Sequence, residues 1–184
     1  MRVIAGVAKG RRLYAVPGRS TRPITDRVKE SLFDILAGDV IDSRFLDLFA
    51  GTGAVGIEAL SRGACEAVFV EHNRRALATL TRNLQQTELT SKARVMPQDV
   101  FDYIDRHPGQ QFDIIYVAPP QYKNLWSRTL LQLDDSGLLD RQGVVVAQIY
   151  PKEYEDLALN QLALHDQRRY GSTMLCFYGR RPTR

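Results

Sequence analysis

The apolar positions of the chain fall into short continuous runs that alternate with segments of helical spacing. The continuous runs predict buried strands at residues 44–49, 67–71, 93–96, 112–117 and 144–149. The segments between them predict helices at residues 54–62, 73–84, 100–106 and 125–133. Strands that alternate with helices form βαβ units, in which a parallel sheet carries helices on both faces. The pattern therefore predicts an α/β fold.

The two ends of the chain depart from this regular alternation. Residues 1–22 are short apolar pieces broken by glycine and proline, which is typical of a small hairpin or an extended arm. A helix is predicted to follow, with Thr25 or Asp26 as its capping residue. Near the other end, residues 157–164 precede an Arg-Arg-Tyr-Gly turn, and 173–178 predict a strand hairpinned onto the sheet edge. We therefore divide the chain into an arm, 1–22, and one domain, 23–184.

Charge is distributed unevenly along the 184 residues. The net charge of +4 is made of +6 over residues 1–30, −7 over 31–167 and +5 over 168–184. Basic ends on a mildly acidic body are typical of proteins that bind a polyanion, most often a nucleic acid. Two solvated tails would give the same totals, so charge alone leaves both interpretations open.

Several functional classes find no support in the sequence. No apolar run approaches the roughly 18 residues of a membrane span, and the first residues do not resemble a signal peptide. Cys65 and Cys176 lack the spacing of a metal site or a disulfide framework, and the three histidines are scattered. We therefore expect a reduced, metal-free, cytoplasmic protein with no membrane segment.

A glycine-rich loop follows the first predicted strand. Gly51, Gly53 and Gly56 form a G-x-G-x-x-G pattern where that strand meets its helix. Glycines there let the backbone turn tightly and approach a ligand, while the helix presents unpaired N–H groups. Glu71 ends the second strand, where an acid suits the two hydroxyls of a ribose. Both NAD and S-adenosylmethionine fit this pattern.

Two further acids favour S-adenosylmethionine. Asp47 lies four residues before Gly51, where its carboxylate would repel a diphosphate but attract a sulfonium and an ammonium group. Asp99 ends the third strand and can accept a hydrogen bond from the adenine amino group. An NAD-dependent oxidoreductase explains the glycines and Glu71 but leaves Asp47 without a role.

The motifs resemble those of known enzymes. D-L-F-A-G-T-G-A-V-G (47–56) and D-I-I-Y-V-A-P-P-Q-Y (113–122), with Glu71 and Asp99, are similar to class I S-adenosylmethionine-dependent methyltransferases. Residues 2–13, 22–33 and 170–178 resemble the bacterial 16S ribosomal RNA (guanine-N2)-methyltransferases, the RsmD family. The resemblance implies a Rossmann-like seven-stranded sheet, mostly parallel with an antiparallel last strand. It also implies methyl transfer to the exocyclic N2 amine of a guanine in 16S ribosomal RNA.

The resemblance assigns roles to individual residues. The implied cofactor contacts are Asp47, Phe49, Gly51, Thr52, Gly53, Gly56, Glu71, His72, Asn73, Asp99 and Val100. The implied catalytic segment, which would face the target amine, is Ala118, Pro119, Pro120, Gln121 and Tyr122. The candidates for RNA binding are Lys9, Arg11, Arg12, Arg22, Thr25 and Arg27, with Lys29 two residues further on. The expected partner of this monomer is 16S ribosomal RNA or the assembling small subunit.

The catalytic segment departs from the usual pattern. Amine methyltransferases of this kind have Asp or Asn, two prolines and an aromatic residue, so that a side-chain oxygen and a backbone carbonyl accept from the amine. Here Ala118 takes the first position and Gln121 delays Tyr122 by one. We hypothesise that Gln121 or the backbone alone replaces the missing acceptor. Two alternatives stay open: methylation of another nucleic acid, and an RNA-binding protein that binds the cofactor without catalysis.

Tyr122 and Trp126 are candidates for base stacking, although Trp126 equally suits helix packing.

Overall fold

A single seven-stranded sheet organises the chain. The structure is a computed structural model that describes residues 1–18 and 23–182. The strands, in chain order, are β1 (Arg44–Leu48), β2 (Glu66–Val70), β3 (Ala93–Met96), β4 (Phe112–Val117), β5 (Leu139–Ile149), β6 (Leu162–Tyr170) and β7 (Thr173–Arg180). Their order across the sheet is β3-β2-β1-β4-β5-β7-β6. The change of direction at β1, where β4 takes the other side, is the place at which sheets of this kind bind ligands.

Helices precede β1 and connect the consecutive parallel strands. They are α1 (Asp26–Leu36), α2 (Ala54–Ser61), α3 (Arg74–Thr87), α4 (Val100–Arg106) and α5 (Leu125–Ser136). The Thr25 hydroxyl caps α1 by accepting from the Val28 N–H at 3.3 Å, as the sequence predicted. Short 3-10 turns occupy Ala37–Val40, Thr90–Lys92 and Pro151–Glu153.

Strand directions confirm the predicted mixed sheet. Strands β3, β2, β1, β4 and β5 are parallel neighbours, and β7 is antiparallel to both β5 and β6. The expected place of the last strand was wrong, because β7 lies inside the sheet and β6 forms the edge. The residues explain this difference. Positions 174–178 are all buried, whereas 165–169 are polar and largely exposed, as suits an edge strand.

Two apolar cores cover the two faces of the sheet. On one face, α1, α2 and α3 pack with buried residues such as Leu32, Phe33 and Phe45. On the other face, α4 and α5 pack around Tyr103 and Trp126. Trp126 is therefore a packing residue rather than a base-stacking one, since its side chain is 2% exposed. The carboxyl ends of the five parallel strands meet at one edge, which both layers of helices leave accessible to a ligand.

Residues 1–13 of the N-terminal arm fold as a small hairpin against α2. An antiparallel bridge joins Arg2 to Arg12, and Val3, Ala8 and Leu13 are buried. Gly6 adopts a φ of +81°, and a Cβ built on it would lie 1.7 Å from the Ser61 carbonyl oxygen. Close approach of the two backbones therefore requires glycine at this position.

A buried ion pair fastens the arm. Lys29 Nζ lies 3.2 Å from Glu58 Oε2, and both side chains are fully buried. Glu58 also accepts from the backbone N–H groups of Ile4 and Ala5, and Lys29 donates to the Arg2 carbonyl. Burial lowers the pKa of Lys29, while the Glu58 carboxylate opposes that shift. The suggestion that Lys29 contacts RNA is wrong, because its ammonium is enclosed by the protein's own groups.

Candidate active site

Three acids follow three adjacent strands at the carboxyl edge of the sheet. Asp47 lies on β1, Glu71 directly follows β2, and Asp99 comes shortly after β3. The parallel register pairs Leu48 with Val70 and Val70 with Met96, so the three strands end level with one another. The fold therefore lines these carboxylates along one side of the edge, beside the glycine loop. We call the ends of β1, β2 and β3, with that loop, the cofactor half.

Backbone N–H groups of the glycine loop are occupied by oxygen atoms of the chain itself. Gly51 donates to Glu71 Oε2 at 2.9 Å, Gly56 donates to Asp47 Oδ2 at 3.0 Å, and Gly53 donates to the Ala50 carbonyl at 2.8 Å. A dinucleotide site needs such donors for its diphosphate, and here two of them hold carboxylates. This arrangement argues against NAD and for a ligand without phosphate.

Asp47 is an almost completely buried acid. Its side chain is 2% exposed, and burial raises its pKa to about 8, with the nearby Glu71 carboxylate pushing in the same direction. The hydrogen bond from Gly56 opposes the shift. A cation placed beside this carboxyl would favour its ionised form, so the site suits a positively charged ligand.

Glu71 organises the turn after β2 as well as the glycine loop. Its Oε1 accepts from the N–H groups of His72 at 2.9 Å and Asn73 at 2.8 Å, and Asn73 Oδ1 in turn caps α3. His72 and Asn73 thus enter the site through their backbones. The loop itself is held in a left-handed conformation at Phe49, whose φ is +62°. Non-glycine residues in this region are uncommon and cluster at functional sites.

The end of β3 offers groups that fit a purine. Asp99 Oδ1 caps α4 by accepting from the Phe101 N–H at 2.8 Å, and Val100 is buried. Beside them, Gln98 Nε2 is buried without a hydrogen-bond partner among the described residues. A ring nitrogen of adenine is an acceptor of the kind that would satisfy this donor. The cofactor half therefore fits a cationic nucleoside such as S-adenosylmethionine.

The loop after β4 forms the neighbouring part of the edge. Ala118 and Pro119 are half-buried, whereas Pro120, Gln121 and Tyr122 are exposed. The loop stays close to β1, since the Ala118 N–H lies 3.5 Å from the Leu48 carbonyl oxygen. The fold thus places the segment 118–122 next to the cofactor half. We call this loop, together with the end of β5 and the turn after it, the substrate half.

Residues after β5 that the sequence analysis missed hold this loop. Glu153 Oε1 accepts from the Tyr122 N–H at 2.6 Å, and the Glu153 carbonyl accepts from Trp126 Nε1 at 3.2 Å. The Tyr150 ring lies 5.7 Å from the Tyr122 ring, centroid to centroid. Tyr122 is 68% exposed and has a φ of +61°. The order of strands was the missing information, because β5 becomes a neighbour of β4 only in the sheet.

The predicted RNA-binding residues occupy different environments. Lys9, Arg12 and Arg27 are exposed. Arg11 is engaged with α3, donating to the Gln86 carbonyl at 2.8 Å and pairing with Glu88 at 3.0 Å. The Thr25 hydroxyl oxygen serves as the helix cap described above, and Arg22 lies outside the described residues.

The part of the chain that the structure describes contains neither a membrane-spanning helix nor a metal-ion cluster. Across residues 1–18 and 23–182, no helix is long and apolar enough to cross a membrane. Within the same ranges, no group of three or more His, Cys, Asp or Glu side chains is arranged to hold a metal ion.

Comparisons with known proteins extend over nearly the whole chain. Residues 1–179 match the family model described as Conserved hypothetical protein 95. YlbH of Bacillus subtilis is 38% identical over an alignment of 184 positions. The alignment covers 98% of this chain and 100% of the relative. Ribosomal RNA small subunit methyltransferase D of Escherichia coli is 36% identical over 148 residues, 80% of this chain and 74% of the relative.

A solved structure gives the same result. The structure of yhhF from Escherichia coli superposes with a TM-score of 0.87 at 32% identity, covering 98% of this chain and 97% of that one. The shared sequence, the matched length and the common fold agree with the order of motifs along the chain. The chain therefore belongs to the Conserved hypothetical protein 95 family, together with the ribosomal RNA small subunit methyltransferase D proteins.

Proposed function

We propose that this protein is an S-adenosylmethionine-dependent methyltransferase that modifies the exocyclic N2 amine of a guanine in 16S ribosomal RNA. The observation that carries the proposal is the pairing of glycine-loop N–H groups with the carboxylates of Asp47 and Glu71. This pairing leaves those N–H groups unavailable to a diphosphate, and a cationic ligand beside Asp47 would favour the ionised form of that acid. Membership of the family of ribosomal RNA small subunit methyltransferase D supports an RNA substrate.

Each acid has a distinct role in the proposed cofactor site. Glu71, at the end of β2, would accept hydrogen bonds from the two ribose hydroxyls. Asp99, at the end of β3, would accept from the adenine amino group, with Gln98 Nε2 as a neighbouring donor. Asp47, buried beside the glycine loop, would face the positive methionine end of the ligand. When bound, S-adenosylmethionine supplies a methyl group on a sulfonium that departs as a neutral thioether.

The substrate half supplies positioning rather than acid catalysis. A neutral leaving group needs no proton donor, so the residues have to align the amine and assist its lone pair. The guanine amine is a poor nucleophile because its lone pair is delocalised into the ring. Pro119 and Pro120 restrict the loop that faces the base, and the exposed ring of Tyr122 offers a stacking surface.

The decisive experiment is a methyl-transfer assay on defined RNA. Purified protein is incubated with labelled S-adenosylmethionine and either deproteinised 16S ribosomal RNA or assembling small subunits, and the RNA is digested to nucleosides. We expect label in N2-methylguanosine. Label in another nucleoside, or no transfer to either substrate, would contradict the proposal. A thermal-shift titration with S-adenosylhomocysteine and NAD separates the two cofactors, and we expect a shift with the former alone.

RNA contacts are tested by the salt dependence of binding. Lys9, Arg12 and Arg27 are exposed, so replacing all three with alanine should remove three phosphate contacts. Each contact contributes about 0.7 to 0.9 to the slope of log K against log salt, so the slope should fall by about 2 to 3. The matched control is the triple variant of Arg74, Arg106 and Arg141, which are exposed arginines elsewhere on the chain. An unchanged slope would remove these residues from the interface.

The same proposal sets the expected context of the enzyme. Ribosomal RNA as a substrate places the protein in the cytoplasm, with the assembling small subunit as its partner. One chain carries both the cofactor half and the substrate half, so we propose that the monomer is active. Sedimentation of the protein at the concentration of the methylation assay tests this point.

A further inference from the structure

The side chain that flanks Ala118 is Gln148. The parallel register of β4 and β5 pairs Val117 with Ala147. The next residues along the chain are Ala118, just past the end of β4, and Gln148 on β5, and Ala118 packs against the same core cluster as Tyr116 and Val146. Strands in a sheet lie about 4.8 Å apart, and residues opposite each other in register point to the same face. A short side chain at 118 therefore leaves space next to the Gln148 amide.

A buried tyrosine holds the Gln148 amide in place. Tyr116 donates its phenolic O–H to Gln148 Oε1 at 2.5 Å. Tyr116 is 2% exposed and lies two residues before Ala118, on the same face of β4. Burial raises the pKa of Tyr116 well above its ordinary value, so the phenol keeps its proton at neutral pH and stays a donor. The amide oxygen of Gln148 thus has a fixed position and a second lone pair to offer.

This arrangement matches the chemical need left by Ala118. A side-chain oxygen that accepts from the target amine favours the pyramidal geometry in which the nitrogen lone pair is available. We propose that Gln148 Oε1 is this acceptor, taking the role of the missing Asp or Asn at position 118. The inference rests on the proposed function and adds a catalytic residue to it.

The transfer step balances with Gln148 as a hydrogen-bond acceptor only. The lone pair of guanine N2 forms the new bond to the methyl carbon, and the electrons of the breaking carbon–sulfur bond go to sulfur. Positive charge thereby passes from sulfur to N2, and the proton lost from N2 goes to water. An amide oxygen is too weak a base to take that proton, but it can bond to the N–H throughout the step.

Gln148 is better suited to this role than Gln121. Gln121 lies in an exposed turn beyond Pro119 and Pro120. Gln148 is half-buried at the end of a strand and is fixed by Tyr116. An acceptor that is already oriented stabilises the transition state without the cost of ordering a mobile side chain.

Single-turnover methylation of 16S ribosomal RNA tests the assignment. Gln148→Leu should slow the chemical step about 10- to 100-fold, which corresponds to one lost hydrogen bond to a developing charge. Gln148→Glu keeps an acceptor oxygen and should stay within about fivefold of the wild type, which corresponds to about 1 kcal/mol. Adding Ala118→Asn to Gln148→Leu should restore most of the rate.

Controls separate catalysis from stability. Gln148→Leu leaves the Tyr116 O–H buried without a partner, so the double variant Tyr116→Phe with Gln148→Leu removes both groups and should fold while remaining slow. Gln142→Leu changes an exposed glutamine at the other end of β5 and should leave the rate unaltered. Affinity for S-adenosylhomocysteine should be the same in all variants.

A binding measurement gives a readout that does not depend on turnover. RNA with guanosine at the methylated position should bind the wild type more tightly than RNA with inosine there, because inosine lacks the 2-amino group. Gln148→Leu should abolish this difference. Wild-type protein that methylates RNA while Gln148→Leu keeps both its rate and its preference for guanosine would overturn the inference. Wild-type protein that methylates no RNA would instead overturn the proposed function.

Discussion

The cofactor half and the substrate half of the same sheet edge are built on different principles. In the cofactor half, Asp47, Glu71 and Asp99 each accept backbone N–H groups of the chain. In the substrate half, an exposed loop is held by side chains of the turn that follows β5, chiefly Glu153 and Tyr150. The bonds to Asp47 and Asp99 stay within one strand–loop–helix unit, and the bond from Gly51 to Glu71 joins two consecutive units. The substrate half depends on contacts between segments about thirty residues apart.

The difference shows where the two halves can vary. Changing an acid of the cofactor half releases backbone N–H groups of the chain and, on the proposed function, also removes a ligand contact. In the substrate half, contact with the ligand and support of the loop fall to different residues. Position 118 is an alanine without a side-chain acceptor, and Glu153 still holds the loop through the Tyr122 N–H. On the proposed function, position 118 can therefore depart from the usual Asp/Asn-Pro-Pro-aromatic pattern while the loop keeps its place.

The largest effect is expected from Glu71→Ala. The variant loses the acceptor for the ribose hydroxyls and the partner of the Gly51 N–H. We expect affinity for S-adenosylhomocysteine to fall about 100-fold or more, as for two lost charge-assisted hydrogen bonds. Isothermal titration calorimetry measures the affinity. Glu66→Ala, at the opposite end of β2, is the control and should bind the ligand nearly as the wild type does.

A second prediction concerns the pH dependence of the ligand-free protein. Asp47 has a pKa of about 8 in the fold against an ordinary value of 3.8, so the folded state holds a proton that the unfolded state releases. The contribution of this group therefore favours the fold at low pH and is lost as pH rises through the window between those values. The expected loss is up to about 1.4 kcal/mol per pH unit within that window.

Urea unfolding at pH 5.5, 6.5 and 7.5 measures this contribution as the difference between the wild type and Asp47→Asn. Relative to the variant, the wild type should lose stability as pH rises. Asp113→Asn is a control acid near the amino end of β4, where its carboxylate accepts from the Arg44 N–H. Parallel stability curves for the wild type and Asp47→Asn would show that Asp47 is ionised in the fold.

Tyr122→Ala tests the substrate half. Loss of an exposed stacking surface should weaken binding of the target RNA about tenfold, a typical effect of removing one aromatic platform. Tyr122→Phe keeps the ring and should bind as the wild type does. Filter binding at constant salt makes the measurement. Equal weakening in both variants would assign the effect to the hydroxyl group instead.

The smallest effect is expected from Glu153→Ala. This change releases the Tyr122 N–H and should lower kcat about three- to tenfold, in line with one hydrogen bond that only positions a loop. Affinity for S-adenosylhomocysteine should stay constant, because the cofactor half is untouched. Glu155→Ala removes an exposed acid two residues further on and serves as the control. A drop in cofactor affinity with Glu153→Ala would show that the two halves are coupled.

Much of the fold was accessible from periodicity. The predicted helix at 100–106 and the strands at 93–96 and 112–117 have the observed bounds. The C-terminal hairpin was harder to predict, because its two strands follow each other through one turn. Only the pairing of β7 with β5 shows that β7 is the internal strand and β6 the edge strand. A related reason applies to Lys29, which was wrongly assigned to RNA binding, and to Trp126, whose role was left open. The local sequence does not show which neighbours a charged or aromatic side chain on a helix will face.

The sequence by itself determined the cofactor half. Asp47, Gly51, Gly53, Glu71 and Asp99 occupy strand ends and tight turns, and their proposed roles follow from their spacing along the chain. The tertiary structure alone decided the substrate half, because the pairing of β5 with β4 brings Gln148 to Tyr116 and Glu153 to Tyr122. Local backbone geometry is encoded over a few residues, whereas the neighbours of a strand are fixed by the packing of the whole sheet.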